Sequence, residues 1–524
     1  MVVRAVEGQE RQWWETRVFA LLLVLASAVP LLWPGIPPLL DLPGHMGRYE
    51  VQLNGETSEA LRNFYTFEWR LIGNLGIDLL VVPLSAIFGL ELAVKLIVLT
   101  IPPLTAAGFL WVAREVHGRI PPTALFALPF AYNYPFLFGF VNYALSMALA
   151  FLAFALWLRL ARLGHTRLRA AVMVPISLLL WLCHAFGWGT LGVLAFSAEL
   201  VRQFDRGHNL VMAGLRAAMH CLALAPPVAL VLLWRSDAGG VTGDWLNFDA
   251  KLDWVRMALR DRWEIFDLAS LALCGLIIFW AMVGRRIHFS RNLAATALFL
   301  SLVFVALPRI VFGSAYADMR LAPYLFAVAL VAIRFPENAG RRLMQGIAIA
   351  GLAFFGVRTV AGTVSAYLYD QRYDRELAAL DHVPQGARMV SFIGRQCREP
   401  WAMTRLLHLS AIGIVRRHAF SNDQWTMAGA QLLNVRWRDG WPFVRDASQV
   451  VTERPCRREV WRTMDESLAQ FPRDAFDYVW LIDPPLYDPA FTEGLRPIWR
   501  SGTSVLFEVE RDVDQTVRKI PSGD

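Results

Sequence analysis

About eleven stretches of this chain are apolar for long enough to be weighed as membrane crossings: residues 18–34, 92–113, 120–135, 137–158, 170–184, 186–201, 210–234, 266–284, 291–308, 319–333 and 343–361. A crossing helix needs about 20 apolar residues to cover about 30 Å of hydrocarbon. Lipid offers no hydrogen bonds, so every backbone polar group must be paired within the protein, and uninterrupted apolar runs of this length imply helices. With 56% hydrophobic and 18% charged residues in 524 and a mean hydropathy of +0.40, the chain is neither an ordinary soluble domain nor a disordered one. The net charge of +7 does not imply a nucleic-acid partner, because the basic residues cluster in short links between apolar runs.

Those links set an expected orientation. RLARLGHTRLR (159–169), GRRIHFSR (284–291) and RFPENAGRR (334–342) are rich in arginine and are expected in the cytoplasm. The amino terminus starts polar, and Pro30, Trp33 and Pro34 stand where a signal peptidase needs small residues, so an uncleaved first span is expected with the terminus inside. Parity then leaves IDLLVVPLSAIFGL (77–90), which is short and contains Pro83, as a helix on the membrane surface. It also places the loop 35–91 and the C-terminal third outside the cytoplasm. The expected fold class is a polytopic α-helical membrane protein of about 11 transmembrane helices, residues 1–361, followed by an extracytoplasmic α/β domain, residues 362–524. The expected location is a bacterial plasma membrane.

The external loop carries a polar cluster. If 41–52 is helical, Asp41, His45, Arg48 and Gln52 share one face and Tyr49 lies beside them. Pro43 fits a first helical turn, which makes Asp41 the N-cap. A carboxylate can act as general base on an acceptor hydroxyl or amine, and an arginine can clamp a phosphate. The plainer alternative is a capped surface helix whose His45 and Arg48 meet lipid headgroups. Further outward candidates are Asp78 on the surface helix, His184 at a span end, and Arg309, Asp318 and Arg320 around RIVFGSAYADMR. Arg320 or Arg309 can bind a donor phosphate or snorkel, His184 can line a cavity or pack, and Asp78 can face a cavity or water. In 235–265, Asp237, Asp244, Asp249 and Asp253 do not follow a calcium-loop spacing, and an interfacial amphipathic helix with Trp245 and Trp254 as sugar-stacking surfaces is expected instead.

After 361 the pattern changes. Residues 387–394, 448–453, 476–483 and 503–511 read as strands, and 401–414, 459–471 and 491–501 as helices, which together imply a small α/β layer. No glycine-rich phosphate loop follows any strand. Cys397 and Cys456 can form a disulfide or remain two thiols, while Cys183, Cys221 and Cys274 lie in apolar runs as packing residues.

This layout resembles the GT-C superfamily of membrane glycosyltransferases. Asp41 stands where the family's catalytic acid stands, near the end of the first span, and GNLGIDLLVVPLSAIFGLELAVKLIVLT (73–100) is similar to its surface helix, glycine turn and second span, as in aminoarabinose and protein mannosyl transferases. The resemblance implies a polyprenyl-phosphate sugar donor, an envelope glycan, lipid or protein acceptor, and catalysis by Asp41. It leaves room for a divalent metal, although Leu42 rather than a second acid follows Asp41, and the Lys-Pro-Pro element is absent at 73–77. The competing classes are a transporter or lipid flippase, which would place charges mid-membrane in interrupted helices, and a polysaccharide polymerase or ligase.

Overall fold

The structure is a computed structural model that describes residues 12–234, 241–336, 338–426, 431–457 and 459–511. Asp237 therefore lies outside the described residues. The chain forms two compact units. One holds the residues up to Leu39 together with Arg70–Leu368, and the other holds Leu40–Trp69 together with Tyr369–Thr426 and the residues from Gln431 onward.

The first unit is helical. Among the described residues, five helices are long and apolar enough to cross a membrane: Leu90–His117, Val141–Arg162, Thr166–Cys183, Glu264–Val283 and Arg341–His382. The expectation of about 11 spans is thus corrected, and the causes are local. Residues 120–135 form an 11-residue 3-10 run, Pro122–Tyr132, too tight and short to cross. Residues 210–234 break at Leu222–Leu224 ahead of Pro227, and 319–333 shorten to Ala322–Ala332 because Asp318–Arg320 turns first. The first run divides into Arg17–Ala26 and Val29–Leu31, and Arg291–Ala306 stops at 16 residues. Ala185–Asp205 is long, but its glycines together with Glu199, Arg202 and Asp205 dilute its apolar character.

Small residues let these helices approach closely. Gly108 on Leu90–His117 has no room for a side chain against Phe151, and Phe109 meets Phe151 edge-on at 4.9 Å. Gly187 is likewise pressed against Ser146. Leu90–His117 and Val141–Arg162 are the most enclosed of the five, whereas Arg341–His382 is the most exposed. Arg159 and Arg162 in the last turn of Val141–Arg162 sit where cations favour the helix dipole.

The second unit is built on a six-stranded sheet: β1 Met389–Gly394, β2 Val450–Thr452, β3 Arg462–Thr463, β4 Tyr478–Ile482, β5 Leu495–Ser501 and β6 Ser504–Val509, in the order β3-β2-β1-β4-β6-β5. The first four in that order run parallel, β6 runs antiparallel to β4, and β5 pairs antiparallel with β6. Strands β1, β2 and β4 are buried throughout, as parallel strands covered on both faces must be. All four segments expected as strands are strands. The expected helix 491–501 is instead β5, joined to β6 through Gly502–Thr503, with Gly502 at φ +58° supplying the tight turn. Pro497 is accommodated because β5 is an edge strand with a register shift opposite it.

Residues 401–408 are also not helical. The hydroxyls of Tyr369 and Tyr373, one turn apart on the preceding long helix, donate to the carbonyls of Met403 and Arg405 at 2.6 Å each, and Arg405 adopts φ +56°. Only Ile412–Arg417 of that run is α-helical, after a 3-10 turn at Leu409–Ala411. In 459–471 the helix is confined to Met464–Gln470, opened by a capping box between Thr463 and Glu466.

Candidate functional site

In the second unit, Leu42–Asn54 forms a helix with Asp41 at its N-cap position and Pro43 in the first turn. The Asp41 carboxylate makes no capping hydrogen bond. It faces His408 instead, with Oδ1 3.9 Å from Nε2. His408 lies 4% exposed in the irregular segment that the two tyrosines tie down, and its Nδ1 is 3.2 Å from the backbone carbonyl of Asp423. A nitrogen facing a carbonyl must carry the proton, so in the neutral ring Nε2 presents its lone pair to Asp41. Two acceptors then converge across a gap too long for a direct hydrogen bond and suited to an intervening water that donates to both, or to a hydroxyl whose one proton they share.

The surroundings hold this pair in place. Gly44 and Gly47 let the helix lie against its neighbours, since a side chain at Gly44 would meet the Trp425 ring at 2.7 Å and one at Gly47 would meet Ala411, Ile414 and Gln424 at 3.0 Å. Trp425 contacts both His408, at 4.7 Å between rings, and His45, at 5.4 Å edge-on. His45 also stacks on Tyr49, and burial, helped by Arg48 and His408, holds its pKa well below the usual imidazole value. Burial also lowers the His408 pKa. Arg48 is 3% exposed with its guanidinium 4.7 Å from the Tyr49 ring centre. It is therefore buried.

Behind the pair lies a buried polar network. The Ser391 amide on β1 donates to Asn422 Oδ1 at 2.9 Å and its hydroxyl to Ser410 at 2.9 Å; Ser410 donates to Asp423 Oδ2 at 3.3 Å; and Gln424 donates to the Gly44 carbonyl at 3.1 Å. Burial raises the Asp423 carboxyl to about 7, with Asp446 adding to the effect and hydrogen bonds from Ser421, Gln424 and Ser410 opposing it. On the far side of the helix, Glu50 accepts from His418 at 3.1 Å and from Asn54 at 2.6 Å.

The other sequence candidates belong to the first unit, and four of them fall along one connected set of contacts. Asp78 is fully buried in the first turn of Gly76–Phe88 and accepts from Asn142 at 3.0 Å, while Asn142 accepts from the Ile77 amide at 2.6 Å. The next residue, Tyr143, donates to the Arg320 carbonyl, lies 5.8 Å from the His184 ring and shares the Arg320 guanidinium with Phe140, at 5.8 and 4.5 Å. His184 caps Ala185–Asp205 through Nδ1, which accepts from the Phe186 amide at 3.1 Å. Asp318 is fully buried and pairs with Lys251 at 3.0 Å. Lys251 also donates to the carbonyls of Phe304 and Leu307. Arg309 lies apart from this set, paired with Asp244 at 3.4 Å and placed over Tyr316. In the 235–265 link the amphipathic helix is Phe248–Arg256, which carries Lys251.

Lys251, His408, Asp423 and Trp425 are the residues that sequence reading missed. SNDQW at 421–425 did carry a signal, a polar run directly after Ala419 and Phe420, but its burial becomes apparent only in three dimensions. Among the described residues no three His, Cys, Asp or Glu side chains group to hold a metal ion, and Asp41 with a single imidazole is not a donor set that fits a divalent cation. No protein-family model matches the chain, and no curated protein matches it.

Proposed function

We propose that this protein is a membrane glycosyltransferase of GT-C type, which moves a sugar from a polyprenyl-phosphate donor to an envelope glycan, lipid or protein at the outer face of a bacterial plasma membrane. The observation that carries this reading is the Asp41–His408 pair, a partly exposed carboxylate and an imidazole lone pair converging 3.9 Å apart in an otherwise enclosed polar site. In the reaction an acceptor hydroxyl placed between them gives its proton to Asp41 as its oxygen attacks the anomeric carbon. The bond from that carbon to the phosphate oxygen breaks, and the phosphate leaves with the electron pair. Before transfer, that single proton is shared between Asp41 Oδ1 and His408 Nε2 in a three-centre hydrogen bond, which fixes the nucleophile's direction. The extracytoplasmic placement of the second unit is supported by its Cys397–Cys456 disulfide, which belongs to an oxidising compartment.

The test is Asp41→Asn, which keeps the shape of the side chain and removes the base. With expression and melting temperature unchanged, sugar transfer from a polyprenyl-phosphate donor should fall by about 10²–10⁴-fold, the usual contribution of a general base. Transfer at the parental rate would remove Asp41 from the chemistry.

A further inference from the structure

In the sheet of the second unit, β1 leads to β2 and β3 on one side, and the chain then returns to β4 on the other side of β1. That reversal opens a crevice at the carboxyl ends of the strands, the place where open α/β sheets take their ligands. A cleft of about 580 Å³ occupies it, within the size range of small-molecule sites, about 300–1,000 Å³. Ile393 and Gly394 end β1 there, Thr452 ends β2, and Asp483 to Pro485 follow β4. Gly394 has no space for a side chain beside the Asp483 carbonyl, and Asp483 holds φ +47°, a left-handed conformation unusual for a residue with a side chain.

We propose that this cleft binds an acidic glycan and is the acceptor-recognition site of the transferase; it rests on the functional reading above. Charge identifies the ligand class. Arg395 is paired with Glu399 at 3.3 Å, and Asp483 with Arg372 at 2.8 Å. Arg398 and Arg454, which follow β1 and β2, both line the cleft, and neither forms an ion pair with a described residue. Two uncommitted guanidiniums on neighbouring loops suit a carboxylate or phosphate carried on a sugar, while the carboxylate of Glu453 and the hydroxyls of Thr404 and Thr452 suit sugar hydroxyls. The Cys397–Cys456 disulfide ties together the two loops that bear these arginines. Leu40 and Leu407 form part of the same wall, and each is followed directly in the chain by a member of the candidate catalytic pair, Asp41 and His408. On this proposal the seated glycan reaches past that wall to the pair.

The experiment measures binding of tri-galacturonic acid, glucose 6-phosphate and maltotriose to the full-length protein in nanodiscs, for the parent and for Arg398→Ala/Arg454→Ala, Arg500→Ala and Asp41→Asn. The carboxylated or the phosphorylated sugar should bind, and the stronger of the two identifies the anion; the neutral trisaccharide should not. The double variant should weaken binding about tenfold or more, the scale of a lost charge-assisted hydrogen bond. Arg500→Ala, which removes an exposed arginine on edge strand β5, should leave it unchanged. Equal binding of maltotriose, no binding of either acidic sugar, or an equal loss in Arg500→Ala would overturn the inference. Asp41→Asn separates the two readings: binding retained while transfer is lost supports both, absent binding with Asp41-dependent transfer sinks the cleft alone, and binding with Asp41-independent transfer sinks the mechanism alone.

Discussion

Asp423 is a carboxylic acid kept close to neutral by its surroundings. Its carboxyl rises from 3.8 to about 7 on folding, chiefly through burial. A raised folded pKa means that the unfolded chain ionises first, so the stability this group contributes is complete below pH 3.8 and is lost as pH rises toward about 7. His45 works in the opposite sense. Its lowered pKa contributes stability above the ordinary imidazole value of 6.5, and this is lost as the solution is acidified through the folded pKa. Melting temperature followed from pH 4 to pH 7.5 should lose its alkaline-side decline in Asp423→Asn, while His45→Gln should lose the acid-side one. An unchanged profile in Asp423→Asn would show that this carboxyl does not titrate within the folded protein. At this scale the sequence was only half legible. The helix with Pro43 in its first turn and Asp41 at its N-cap position followed from spacing alone, but His408 and Asp423 lie more than 360 positions away, and only folding brings His408 to Asp41 and Asp423 to His408.

At the scale of elements, the segment carrying His408 owes its shape to two tyrosine hydroxyls rather than to its own propensity. WAMTRLLHLSAIGI has helical spacing, yet Tyr369 and Tyr373 claim the carbonyls of Met403 and Arg405. Each bond contributes about 0.5–1.5 kcal/mol. Tyr369→Phe/Tyr373→Phe should therefore destabilise the protein by about 1–3 kcal/mol and, on the proposed mechanism, also reduce sugar transfer, because His408 is no longer held opposite Asp41. A loss of stability without any loss of transfer would separate the segment's shape from its function. The strands β1, β2 and β4 were legible because complete burial demands continuous apolar runs. β5 was not, because an edge strand tolerates Pro497 and outward-facing arginines, and SGTS, the hairpin signal, was passed over in favour of a helical reading.

For the whole molecule, hydropathy showed a helical chain with membrane-length segments but overstated their number. It registers apolar content and is blind to the prolines and 3-10 turns that shorten a helix. It also could not show that 40–69 belongs with the C-terminal third. Val51, Leu61, Phe64 and Tyr65 enter the same core as Val390, Phe420, Val435 and Phe476, and Tyr65–Phe67 pairs antiparallel with Leu433–Val435. A fragment of residues 369–524 should therefore aggregate when produced alone, and fusion of 40–69 through a flexible linker should restore a soluble, cooperatively melting unit. A soluble, cooperative fragment without 40–69 would refute this.

The division of that core between the two ends of the chain has a cost in time. Tyr65 finds its partner Ser421 only 356 residues later, an interval on the order of tens of seconds at ordinary rates of translation. Throughout it, an apolar ribbon emerges beside the nascent helices with nothing to shelter it. Biogenesis, more than final stability, is where this architecture is most vulnerable, and factors that shield young chains should govern its yield.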